Sequence, residues 1–179
     1  ACPVIGEIGM DSVWCDVPLD RQEEVFRAQL AIACQMKKPV ILHTKGEEDR
    51  IASILPEYPN TYLVHWYSCE EYLDQYLALS CYFSIGPDVL WNPPVRTLAA
   101  RVPQNRILIE TMGAVKWAYE APEAPKNSQL ADARENTKNV EDALTHTLLE
   151  TAAIRQTEPG VLAKQIQKNL IWGFLSASK

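Results

Sequence analysis

Apolar residues along this chain fall into short unbroken runs, separated by stretches with helical periodicity. The first run covers 3–8 and the second, PVILHT, covers 39–44. The second is continuous rather than alternating, as in a strand buried on both faces. Further runs cover 61–67 (TYLVHWY), 81–85 and 106–111 (RILIET). After the first run, Asp20 reads as the N-cap of a helix reaching about 37. Val25, Phe26, Gln29, Leu30, Ala33 and Cys34 recur there at the three-and-four spacing of one buried face. A short helix over 47–55 stops at Pro56. Ser68 and Glu71 have capping-box spacing and open a helix to about 79. Pro93 and Pro94 start another, to about 102. A polar stretch rich in Pro, Asn and Ala over 121–136 precedes helices over 138–154 and 159–174.

The alternation of strands and helices predicts an α/β fold with a parallel sheet and helices outside it. An open doubly wound sheet and a (β/α)8 barrel both satisfy the pattern, which does not separate them. A length of 179 residues suits one domain. No apolar run is long enough to span a membrane. A net charge of −6 excludes an overall basic field for gripping long duplex nucleic acid. The five cysteines are odd in number and contain no C-x-x-C pair. They read as free thiols in a reducing cytoplasm. Neither a phosphate-binding glycine loop nor a G-x-S-x-G elbow occurs, so nucleotide-cofactor and serine-hydrolase chemistry are unsupported.

In either architecture, functional side chains gather at the carboxyl ends of the strands. Glu7, Gly9 and Asp11 close the first strand, and His43, Thr44 and Lys45 the second. His65, Trp66 and Tyr67 close the third, and Glu110 and Thr111 the fifth. The chain has three histidines, two of them at successive strand ends. A lone histidine in such a place is more often a hydrogen-bonded core residue. Two histidines and a glutamate at matching strand ends favour a metal site, whose imidazole and carboxylate donors suit Zn²⁺, Mn²⁺ or Mg²⁺. His146, mid-helix among leucines, reads as structural. Trp66, Tyr67, Tyr72 and Tyr76 read as packing rather than as base-stacking surfaces.

At these residues the chain resembles the TatD family of metal-dependent hydrolases, amidohydrolase-like barrels that include deoxyribonucleases. VIGEIGMD is similar to the family's strand-four motif, which implies Glu7 as a metal ligand. PVILHTK resembles the strand-five motif and VHWYS the strand-six motif, implying His43 and His65 as further ligands. YFSIGPDVLW, RILIET and KQIQKNLIWGF resemble strand seven, the approach to strand eight and the closing helix. The resemblance implies a (β/α)8 TIM barrel of which the C-terminal five β-α units, strands four to eight, are present. They would form a single domain over 1–179, incomplete at the N-terminus, since a whole barrel takes about 250 residues. It also implies one or two divalent ions (Zn, Mg or Mn) and a metal-activated water attacking a phosphodiester. The substrate would be a small phosphoester or a nucleic-acid end, with Lys45 as a substrate-binding point charge.

Two departures qualify the likeness. The family's first strand carries a His-x-His pair that nothing here matches. Its Asp directly after the strand-eight Glu-Thr is Met112 here, and a thioether is neither a general base nor a hard-cation ligand. The catalytic residue is therefore unassigned. Either the chain is interrupted around Met112, or the protein is a catalytically degenerate TatD-like barrel that binds a ligand or partner. Three geometric expectations follow. Glu7, His43 and His65 should approach within roughly 5 Å of one another. The sheet should have two open edges, with apolar barrel-interior side chains exposed between them. A homo-oligomer or a missing N-terminal segment should cover the open edge.

Overall fold

A computed structural model of the chain describes residues 2–111, 126, 137 and 139–178. Met112 and most of the stretch over 121–136 lie outside the described residues. Five strands, β1 (Ile5–Gly9), β2 (Val40–His43), β3 (Tyr62–Val64), β4 (Tyr82–Ile85) and β5 (Ile107–Ile109), form one parallel sheet in sequential order. A doubly wound sheet reverses its strand order at a switch point; these five strands do not. The helices are α1 (Leu19–Gln35), α2 (Glu48–Ile54), α3 (Leu73–Ala78), α4 (Pro93–Arg101), α5 (Val140–Ile154) and α6 (Pro159–Lys168).

The register sorts side chains onto two faces. Gly9 pairs with His43, and Leu42 with Val64, so His65 follows in the same row as His43. Val64 pairs with Phe83 and Ser84 with Leu108. Because neighbours in register share a face, Glu7, His43, His65, Ser84 and Glu110 emerge on one side. Ile8, Leu42, Val64, Phe83 and Ile107 emerge on the other. That second face meets Phe26, Leu30 and Ala33 of α1, Ile51 of α2, and Val95 and Leu98 of α4 in the main core. Burying each such Leu, Ile or Phe contributes about 1.5–3 kcal/mol.

The first face carries a smaller cluster below its polar end: Leu63, Tyr82, Leu108 and Phe174, with Ile41 and Leu175 at its margin. Here an expectation is corrected. These interior side chains are covered rather than exposed, because the chain widens after α6 into the Asn169–Phe174 turns and crosses them. Asn169 Nδ2 donates to Gln104 O at 2.9 Å and to Ile107 O at 2.8 Å, tying that segment to β5. Gly173 is required there: a Cβ would sit 2.2 Å from the Tyr82 hydroxyl.

Three local readings also change. Asp20 is not the cap of α1. The carbonyl of Pro18 accepts from Arg21 N and Gln22 N, and the Asp20 carboxylate reaches Arg50 instead. Val25 is exposed, so the buried stripe of α1 narrows to Phe26, Leu30 and Ala33. The Ser68–Glu71 capping box does not form. The buried Tyr67 hydroxyl donates to Glu71 O and holds 68–71 as a loop, and α3 begins at Leu73 after a left-handed Tyr72.

Candidate metal centre

The site sits where the β1–β3 carboxyl ends meet β5. β1 carries an irregularity between Ile5 and Ile8, so Ile5 pairs with Val40 while Ile8 pairs with Leu42. Bulges of this kind re-aim side chains, and Glu7 lies within the irregular stretch. Gly9 allows β1 to approach β2 here, since a Cβ would lie 1.8 Å from His43 O.

Glu7 stands between the two histidines. Its Oε1 is 2.8 Å from His43 Nδ1 and 3.9 Å from His65 Nε2. Glu7 thus lies within the expected 5 Å of each histidine. Each histidine turns its other nitrogen to an outer carboxylate. His43 Nε2 lies 2.7 Å from Asp11 Oδ2, and His65 Nδ1 lies 2.8 Å from Glu110 Oε2. A ring nitrogen bonded to a carboxylate fixes the tautomer and aims the opposite nitrogen. Both opposite nitrogens face Glu7.

The outer carboxylates are themselves held. Asp11 Oδ1 accepts from Val13 N and Trp14 N, both at 2.7 Å. Gln22 of α1 clamps the Asp11 backbone, accepting from its N at 2.8 Å and donating to its O at 3.0 Å. Glu110 Oε1 accepts from Trp66 N at 3.0 Å and from the Ser84 hydroxyl. Asp88, buried beneath, accepts from Trp66 Nε1 at 2.8 Å and Asn92 Nδ2 at 3.0 Å; burial raises its carboxyl pKa.

Charge follows from these contacts. The hydrogen bond to His43 and the charges of both histidines lower the Glu7 pKa, against its burial. The bond to Glu7, against burial and with help from Asp11, raises that of His43. For His65, burial works to lower the value, but the Glu110 bond and charge overcome it and the net shift is upward. Burial likewise opposes, and the Trp14, His43 and Val13 bonds outweigh it, in lowering that of Asp11. In this arrangement the imidazoles are closed on carboxylates. Among the described residues no three His, Cys, Asp or Glu groups stand arranged about one point for an ion. The donor set nevertheless suits a divalent cation. The 2.8 Å between Glu7 and His43 is a hydrogen-bond spacing, and 3.9 Å separates the same Glu7 oxygen from His65 Nε2.

Lys45 lies beside this cluster, with Nζ 3.4 Å from Ser68 Oγ. His146 is remote from it on α5, its Nδ1 3.0 Å from Thr137 Oγ1. Of the aromatics read as packing, Tyr67 and Tyr76 are buried in the core, Trp66 is half-buried and Tyr72 is exposed. An open cleft of about 310 Å³ borders the cluster along β1, lined by Glu7, Gly9, Asp11, Gln22 and His43 among others.

Residues 1–174 match the family described as TatD related DNase. The chain belongs to that family. It is 28% identical over 176 residues to the 3'-5' ssDNA/RNA exonuclease TatD of Edwardsiella piscicida, covering 94% of this chain and 64% of that protein. It is 30% identical over 113 residues to the uncharacterized metal-dependent hydrolase YabD of Bacillus subtilis, covering 60% of this chain and 44% of that one. The crystal structure of the TatD homolog YJJV from Escherichia coli superposes with a TM-score of 0.74 at 22% identity, covering 96% of this chain and 63% of that one. A TatD family hydrolase structure from Entamoeba histolytica gives 0.75 at 15% identity, with 96% and 62% covered. The chain thus spans between 44% and 64% of these TatD-family relatives.

Sequence reasoning placed Glu7, His43 and His65 in the site. It noted Asp11 and Glu110 at strand ends without giving them a part, and it missed Ser84 and Gln22. The signal for Ser84 and Glu110 was parity: counted along parallel strands in register, both share the histidines' face.

Proposed function

We propose that this chain carries the metal-ligating part of a hydrolase that cleaves phosphodiesters at the end of a single-stranded nucleic acid. Glu7, His43 and His65 would hold one or two divalent ions of the Zn, Mg or Mn class. When bound, such ions supply a water activated near neutral pH and positive charge for the phosphoryl oxygens. Asp11 and Glu110 orient the two imidazoles, and Lys45 meets a phosphate oxygen as a point charge. The observation that carries the reading is the pair of carboxylate–histidine couples, both aimed at Glu7 Oε1.

The five units correspond in this reading to strands four to eight of an eight-stranded barrel. Five units of eight agree with the 63% of the YJJV chain that is covered. The edge of β1, beside the open cleft, is where earlier strands or a second copy would pair. The five unpaired thiols suit a reducing compartment, and the proposed location is the cytoplasm. No helix among the described residues is long and apolar enough to cross a membrane.

Metal binding is the deciding assay. Calorimetric titration of the chain with Zn²⁺ and Mn²⁺ should show saturable binding that Glu7→Gln and His65→Ala each weaken at least tenfold. A 5'-labelled oligonucleotide should then shorten from its 3' end in the presence of metal and stop on chelation. A chain that binds neither ion would favour the degenerate, partner-binding barrel instead, the reading to which Met112 points.

A further inference from the structure

Trp14 is the largest exposed side chain near the candidate centre, with 58% of its surface accessible. It is not a loosely tethered residue. Its backbone N donates to Asp11 Oδ1, and the other oxygen of that carboxylate meets His43 Nε2. One carboxylate therefore fixes the tryptophan's loop relative to the histidine. The indole centroid lies 6.2 Å from the His43 ring, tilted by 49°. The loops after β1 and β2 are joined as well, Ser12 N donating to Lys45 O at 3.1 Å. Gly46, at φ +78°, permits that closeness, since a Cβ would lie 2.4 Å from Ser12 Oγ. The junction brings Lys45 Nζ over the indole, 5.0 Å from its centroid.

An indole more than half accessible, with an ammonium over its ring, matches the two needs of a single-stranded nucleotide. Bases stack on aromatic rings with little sequence preference, and a lysine meets the phosphate. Resting over the ring, the ammonium is held by cation–π attraction, and its flexible stem lets it swing to a phosphate. The platform is close enough to the cluster for its occupant to touch the chemistry. Stacked nucleotides rise about 3.4 Å each, so 6.2 Å corresponds to one or two of them.

We propose that Trp14 and Lys45 form a nucleotide subsite at the mouth of the Glu7–His43–His65 cluster, Trp14 stacking a base and Lys45 contacting its phosphate. The assignment rests on the nuclease reading above for its substrate class. It gives the single-strand preference of that reading a residue: Trp14 needs an unpaired base, because a base within a duplex cannot lie flat on the indole.

The test uses fluorescence anisotropy with a phosphorothioate-linked tetrathymidylate and an abasic tetramer of the same backbone, each with Mg²⁺ and with excess EDTA. Trp14→Ala should weaken binding of the tetrathymidylate about 5- to 150-fold. It should leave the abasic tetramer within about twofold. Trp14→Phe should restore most of the loss, and Lys45→Gln should weaken both probes and reduce the salt slope by about one. Tryptophan fluorescence should be quenched by the thymidylate in the wild-type chain and less so in Trp14→Phe. Equal binding by wild type and Trp14→Ala overturns the subsite, as does a wild-type chain that binds neither probe. Failure of the metal reading shows separately. A chain that takes up no Zn²⁺ or Mn²⁺ but still discriminates the two probes through Trp14 keeps the subsite and loses the hydrolase.

Discussion

Replacing Glu110 by glutamine separates the two roles of this carboxylate. Its Oε1 accepts from Trp66 N and Ser84 Oγ, while Oε2 faces His65 Nδ1 at 2.8 Å. Gln keeps the first oxygen and places an NH2 where the second was. That NH2 must donate, so His65 Nδ1 must accept, and the ring proton moves to Nε2. Nε2 is the nitrogen 3.9 Å from Glu7 Oε1. It then presents a proton where a metal needs a lone pair. Stability changes little: a charge-assisted hydrogen bond of about 1.5–3 kcal/mol becomes a neutral one of about 0.5–1.5 kcal/mol, with less charge to bury. The expected loss is about 1 kcal/mol. Glu110→Ala differs, because it removes an acceptor from the Ser84 hydroxyl and His65 Nδ1 and leaves Trp66 N only its longer contact to Ser84 Oγ at 3.4 Å, for a loss of about 2 kcal/mol or more.

Metal affinity should move the other way round. Disturbing an outer-shell partner typically costs 10- to 100-fold, and Glu110→Gln should reach the upper part of that range. Urea unfolding measures the stability of both variants. Zinc titration measures affinity, and ¹⁵N chemical shifts of labelled histidine report which nitrogen of His65 is protonated. A Glu110→Gln chain that binds zinc as tightly as wild type would refute the positioning argument. So would a His65 tautomer that stays the same.

Two further outcomes follow from the same geometry. Gly9→Ala places a methyl 1.8 Å from His43 O, a backbone atom that cannot yield; urea unfolding should show a loss of about 1–3 kcal/mol or more, and an unchanged midpoint would contradict the register of β1 and β2. In the metal-free chain, the raised pKa values of His43 and His65 contribute stability that is fully present below about 6.5 and is lost as pH rises through the folded values. The depressed value of Glu7 contributes above the ordinary carboxylate range and fades in acid. The urea midpoint in EDTA should therefore fall between pH 6 and pH 9, less steeply in His43→Gln, whereas divalent-ion affinity should rise over that interval because the ligands must lose protons.

The strands were legible because each falls in a short, largely apolar run bounded by turn residues, and the two histidines because both fall at the ends of such runs. Periodicity located α1, but placed Val25 on a face that the sheet does not reach. Local motifs were poorer guides. Ser68 and Glu71 have capping spacing, yet Tyr67 ties Glu71 O to the core and the loop takes precedence. Asp20 had the right chemistry for a cap, but Pro18 O already accepts from Arg21 N and Gln22 N. Asp11 and Glu110 stood in plain view without a part because an outer carboxylate has no spacing rule of its own. Its role depends on which nitrogen of which ring it meets, and that is set by the pairing of distant strands. Trp14 was passed over for a similar reason: only the contact between the loops after β1 and β2 sets it beside Lys45 and His43.

The arrangement also bears on which side of the cluster chemistry would occur. His65 and Glu110 are backed by Ser84, Trp66 and Asp88, the last of these buried. Each of these polar groups has a partner, so this side is a fixed wall. Glu7 and His43 instead line the open cleft beside β1; Trp14 and Lys45 meet on the adjoining loops. In the proposed function, a substrate entering that cleft would meet Glu7, Asp11 and His43. The carboxylate density at Glu7 and Asp11 would repel its phosphate until a cation is bound. In that reading, electrostatics would make substrate binding at the cluster conditional on the ion, while stacking on Trp14 would not be. The two contributions should come apart in experiment: removing the ion should weaken oligonucleotide binding in wild type and in Trp14→Ala by the same factor. Unequal factors would mean that the indole and the ion-binding residues are energetically coupled, with Asp11, bonded to both Trp14 N and His43 Nε2, as the link.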